Sequence, residues 1–143
     1  EAGLPPSSYH LDYKPDPDNP SFDFGYEMTL AALRERPEIT AVIADTDTMA
    51  LGVYKAAETL GLPIPDRLSV FAFSDDSVFS PEFTPPLTGV RLHAERLGWE
   101  AAVLLLEQIN GAARTLKRTI VPTDMVIRSS CAEPILSLGG NPS

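Results

Sequence analysis

An α/β fold built on a parallel sheet is predicted by two features of this sequence. Short apolar runs alternate with helical patterns, as in "ITAVIA", then "TMALGVYKAAETLG", then "LSVFAF". The connectors between them are only a few residues long and rich in proline and glycine. Strand, helix and strand in close succession require parallel strands joined by crossover helices.

The elements follow in order. "EAGLP" at the start reads as the last turn of a helix, with Gly3 as a left-handed C-terminal residue and prolines behind it. That pattern predicts a chain whose preceding part lies elsewhere. Tyr9 to Lys14, "YHLDYK", alternates weakly as a strand would, and "PDPDNPS" is a proline-aspartate loop. Ser21 is placed to cap a helix over 22–36, which Pro37 follows. A buried strand over about 40–44 comes next. The helix after it runs over about 48–60 and stops at Gly61, with Met49, Val53, Ala56 and Leu60 along one face. A further apolar strand spans about 68–73. After "FTPPLTGVR" a helix covers about 93–110 and closes at Gly111. Its apolar residues nearly encircle it: Leu97, Ala101, Leu104 and Leu105 on one side, Trp99, Ala102, Val103 and Leu106 over much of the rest. Such a helix needs cover on two sides. "RTIVPTDMVIRSS" supplies one or two short strands, and "ILSLGGNPS" a loose tail.

Composition narrows the function. The 143 residues suffice for one domain with a sizeable core. A net charge of -9 argues against this chain holding nucleic acid by itself. With Cys131 as the single cysteine there is no internal disulfide, and the longest apolar run, Ala101 to Leu106, is too short to span a membrane. No Gly-rich phosphate loop is present, and His10 and His93 lack the spacing of a zinc site. Neither a cofactor nor a metal is expected. Ser129-Ser130-Cys131 has no recognisable base, so Cys131 reads as inert.

Two acidic segments stand out. Asp45-Thr46-Asp47 and Ser74-Asp75-Asp76 each follow a predicted strand, so they should share the carboxyl-end rim where such sheets bind ligands. "DTDT" also resembles the nucleophile motif of haloacid-dehalogenase-type phosphatases. In that reading Asp45 attacks phosphorus, Asp47 protonates the leaving group, and Asp75-Asp76 hold magnesium. Between Asp47 and Asp75 there is room for one helix and one strand, and the only lysine there, Lys55, falls mid-helix. The phosphate-binding strand and lysine of those enzymes therefore have no counterpart. A simpler role is capping, because Thr46 or Asp47 can accept the orphan amides of the next helix.

Three blocks in order resemble the lactose-repressor (LacI/GalR) family of bacterial regulators. They are "ITAVIADTDTMALGVYKAAETLGLPIPDRLSVFAFSDD", "FTPPLTGVRLHAERLGWEAAVLLLEQING" and "VPTDMVIRSS". The resemblance implies a type I periplasmic-binding-protein-like sensor, represented mainly by its C-terminal subdomain. Residues 1–86 would belong to that subdomain, 87–113 would cross to the N-terminal subdomain, 114–132 would return, and 133–143 would form a tail. It implies a small-molecule effector, most often a carbohydrate, a homodimer, and a cytoplasmic protein that meets DNA only through a helix-turn-helix outside this chain. It implies no enzyme activity. Carried over residue by residue, the effector site falls on Thr46 and Asp47, with Asp47 as the helix cap. Asp75, or Ser74 beside it, would accept hydrogen bonds from ligand hydroxyls. Phe22 with Asn19, and Leu92 and Ala94 after "LTGVR", complete the set. Thr46 stands where the family carries asparagine, and Leu92 and Ala94 are apolar, both departures from its pattern. An exported sugar-binding protein of a transport system shares this fold and is the alternative; the phosphatase is the third reading.

Overall fold

A computed structural model of the chain describes residues 21–73, 78–111 and 118–133. Helix α1 spans Ser21–Glu35, strand β1 Ala41–Ala44, helix α2 Asp47–Leu60 and strand β2 Ser69–Ala72. A short 3-10 turn, Ser80–Glu82, leads to strand β3, Thr88–Arg91. Helix α3, Ala94–Ile109, and strand β4, Asp124–Val126, complete the described fold. The expected parallel sheet is present. Its order is β1-β2-β3-β4, with β1, β2 and β3 parallel and β4 antiparallel to β3. The weak strand at 9–14 and the C-terminal tail lie outside the described residues.

Helix α2 is the best-specified element. Thr46 caps its start, and Gly61, at φ 66°, closes it with its backbone N–H on Ala57 and Glu58 carbonyls. The left-handed residue costs glycine little, which is why the helix stops there. Met49, Val53, Ala56 and Ala57 are buried, as the helical spacing requires. Met49, Val53 and Ala57 pack with Leu33 of α1 and Ala44, Leu68, Val70, Ala72 and Leu87 from the sheet and its approaches. Leu68 and Leu87 are the largest apolar side chains withdrawn entirely from water. Arg67 ties the strand entry to the end of α1: its guanidinium donates to the Ile39 carbonyl at 2.7 Å and to that of Pro37.

Strand β3 has no counterpart in the sequence reading. Thr88-Gly89-Val90-Arg91 is too short, and too interrupted by glycine, to show a period. Its pairing with β2, Phe71 to Thr88 and Ala72 to Gly89, makes it a strand.

Helix α3 buries no residue at all. Trp99 is 71% and Ile109 69% exposed, so the cover that its apolar faces demand is not provided by the described residues. The sheet shows the same on one side. Helix α2 lies on the face carrying Ala44, Val70 and Ala72, whereas Ile43 points away and is 73% exposed.

Candidate functional site

Because β1, β2 and β3 run parallel, their carboxyl ends form one rim. The first strand delivers Asp45, Thr46 and Asp47 there. Thr46 has extended backbone (φ -129°, ψ 161°), and its Oγ1 accepts the Met49 amide at 3.2 Å, while its carbonyl accepts the Ala50 amide. Thr46, not Asp47, is therefore the helix cap. Asp47 is already the first helical residue and leaves the Met49 amide to Thr46. Its Oδ1 instead accepts the amide of Thr48 at 2.7 Å. The carboxylate is still well placed at the positive end of the α2 dipole.

This arrangement leaves defined hydrogen-bonding capacity. Thr46 is half-buried and retains its O–H donor, since the cap bond uses only a lone pair. Asp47 is half-buried and keeps Oδ2, whereas Asp45 is exposed. Removing the cap by Thr46→Ala should lower stability by about 0.5–2 kcal/mol in a denaturant titration. Thr46→Ser, which keeps the oxygen, should lower it far less.

The second strand ends at Ala72, and Phe73 closes the ladder with its amide on the Ala44 carbonyl at 2.8 Å. Ser74, Asp75 and Asp76 lie outside the described residues, as does Asn19. Phe22 sits in the first turn of α1, half-buried, with its carbonyl against Gly52. Leu92 and Ala94 flank His93 at the end of β3, two strands across the rim from Thr46. Leu92 is half-buried and Ala94 exposed. The structure thus joins Thr46 to Asp47 in one turn and places Leu92 and Ala94 on the same edge.

No group of three or more metal-ligating side chains occurs among the described residues. No helix among them is long and apolar enough to cross a membrane. In the sequence His93 is simply the first residue of the helix expected over about 93–110. In the structure it has left-handed backbone (φ 55°, ψ 53°), and its Nε2 lies 2.8 Å from Asp124 Oδ2 on β4. The spacing of 31 residues between these two gives no local signal.

The model of the periplasmic binding protein-like domain matches residues 6–131 of this chain. The lactose operon repressor of Rhizobium radiobacter is 39% identical over 115 residues, which are 79% of this chain and 98% of that one. The chain belongs to the LacI family of transcriptional regulators. Solved structures of the family agree in fold. A LacI family regulator from Bifidobacterium animalis subsp. lactis superposes with TM-score 0.73 at 30% identity, covering 79% of this chain and 41% of that one. The complex of the regulator CelR with cellobiose gives TM-score 0.72 at 29% identity, covering 76% and 33%. This LacI-family chain therefore spans nearly all of the Rhizobium sequence but only a third to two-fifths of those solved regulators, and it matches part of their sensor domain. Its relatives are regulators; neither the transport receptor nor the phosphatase is favoured.

Proposed function

We propose that this chain is the effector-sensing portion of a cytoplasmic LacI-type regulator and that its effector is a sugar or a related small molecule. The observation that carries the proposal is the Thr46–Asp47 turn. A hydroxyl donor and a carboxylate acceptor stand together at the carboxyl end of a parallel strand, where polyhydroxyl ligands find both partners. Asp75, Ser74, Phe22, Asn19, Leu92 and Ala94 would complete the contacts. The chain would carry no catalytic activity, and DNA would be held by a domain outside it. Residues 1–86 and 114–132 would form one subdomain, and 87–113 would reach into the other. Closing of the cleft on effector would then shift a dimer between DNA-binding geometries, by as much as the effector's affinity differs between the two states. The uncovered helix α3 supports pairing with further protein, because an apolar surface of this size is unfavourable in water.

Relatives direct the choice of probe, since one is a lactose operon repressor and another was solved with cellobiose. In a titration of the chain with each disaccharide, followed by amide NMR, the Thr46 and Asp47 signals should shift and saturate. Thr46→Ala should abolish the shift, and Asp45→Asn should leave it intact. Signals that stay still under both sugars, or magnesium-dependent phosphatase activity lost in Asp45→Asn, would overturn the reading.

A further inference from the structure

Helix α3 buries none of its residues, so among the described residues its direction is set where it joins the sheet rather than by packing along its length. The junction is well defined. Strand β3 leads out to the helix and β4 comes back antiparallel, pairing Gly89 with Val126, Val90 with Met125 and Arg91 with Asp124. Arg91 and Asp124 are the last ladder pair, and His93 lies two residues beyond it. Its Nε2 nevertheless reaches Asp124 Oδ2 at 2.8 Å, and its carbonyl accepts the Leu97 amide of the first helical turn at 2.9 Å. One residue is thus bonded to the returning strand through its side chain and to the helix through its backbone.

The backbone supports the same conclusion. His93 is the only non-glycine residue with positive φ among the described residues. An L-residue with a Cβ adopts that conformation at a modest cost, which compensation from its surroundings can offset. The bond to Asp124 is such a compensation. The shallow recess at this point is lined by His93, Ala94, Glu95 and Arg96, all from the connection and the first turn of α3. Among the described residues, none of those lining this recess comes from a strand of the sheet.

We propose that the His93–Asp124 pair is a pin that fixes the angle at which α3 leaves the sheet. As a conformational device, its meaning rests on the sensor reading above. If α3 belongs to a body that moves on effector binding, the pin holds the departing and returning segments together at the hinge. Hinges act through a few element-terminal residues that absorb backbone change, and His93 stands at such a position between β3 and α3.

Amide hydrogen exchange on the whole chain tests this without effector or DNA, so its failure is separate from failure of the sugar titration. Asp124→Ala should speed exchange at Leu97 by about two- to fivefold, the scale of a single exposed side-chain hydrogen bond, and leave Val70 and Ala72 unchanged. His93→Gly should do the same. Glycine suits the left-handed backbone but has no imidazole, which separates the pin from the strain. Asp124→Asn keeps an acceptor oxygen and should bring exchange back to within about twofold of the unmodified chain. Unchanged exchange at Leu97 in Asp124→Ala would overturn the proposal. So would equal acceleration at Val70 and Ala72, which is general loosening, or a failure of Asp124→Asn to rescue.

Discussion

Replacing Gly52 by alanine should cost this protein about 3 kcal/mol or more, read as a lower denaturation midpoint in urea. A Cβ built there stands 2.3 Å from the Phe22 carbonyl oxygen, 2.5 Å from the Tyr26 nitrogen and 2.9 Å from the Gly25 carbonyl carbon. All three are backbone atoms of α1, so no side chain can turn aside to make room. The same contact is tight from the other side, where a Cβ on Gly25 would meet the Met49 carbonyl oxygen at 2.4 Å. The two helices therefore touch backbone to backbone, and only separation of α1 from α2 would relieve the clash. That separation would open the core around Leu33 and Val53. Gly98 provides the contrast. It lies within α3 with nothing near its would-be Cβ, so Gly98→Ala should raise helix stability by up to about 1 kcal/mol. If Gly52→Ala proved as harmless as Gly98→Ala, the close crossing of α1 and α2 would be wrong.

The second large effect is expected at Ser130, which is fully buried. Its Oγ donates to the Val70 carbonyl at 2.6 Å and accepts the Thr88 amide at 2.8 Å, while its own carbonyl accepts the Val70 amide at 2.8 Å. Ser130 thereby occupies a ladder position between β2 and β3, just before those strands begin to pair with each other. Neighbours reinforce the insertion. The Arg128 amide donates to Thr88 Oγ1 at 2.9 Å, and the Ser129 amide to the Pro86 carbonyl at 3.2 Å. On the helix side, the Tyr54 hydroxyl donates to the Pro85 carbonyl at 2.8 Å, and burial pushes its pKa up to about 12, so it stays a neutral donor. Ser130→Ala removes one hydroxyl, leaves the Thr88 amide without its acceptor and leaves the Val70 carbonyl only the weaker Cys131 Sγ donor at 3.2 Å, which should cost about 1–3 kcal/mol and less if water enters. Calorimetric melting should show the loss, and exchange at the Thr88 amide should rise selectively. A Thr88 amide as protected in Ser130→Ala as in the unmodified chain would refute this account.

Local signals were sufficient for part of this structure. Met49, Val53 and Ala56 recur at helical spacing, Gly61 stops the helix in the left-handed region, and the apolar runs at β1 and β2 are short and flanked by turn residues. Each is decided within a few residues, by side-chain periodicity or by the conformational freedom of one glycine, so α2 and its flanking strands were legible in advance. The parallel order followed, because connectors that short leave no other crossover. The excess of apolar surface on α3 was legible too, since periodicity counts faces whether or not anything covers them.

What the sequence could not decide are the matters settled by distant partners. Both Thr46 and Asp47 can cap a helix; the observed choice depends on where β1 turns into α2, and the one residue by which the turn could slip has no sequence signature. Strand β3 exists because β2 and β4 offer it ladders on either side, not because of its own four residues. Ser130 and His93 draw their roles from partners dozens of residues away, where hydrogen bonds form through space and leave no periodic trace. By itself, the sequence determined the α/β class, the central helix and the rim on which Thr46 and Asp47 stand. Only the tertiary structure decided which oxygen caps, which glycine must stay bare and which serine completes the sheet, because those depend on atoms brought within about 3 Å by the packing of the whole chain.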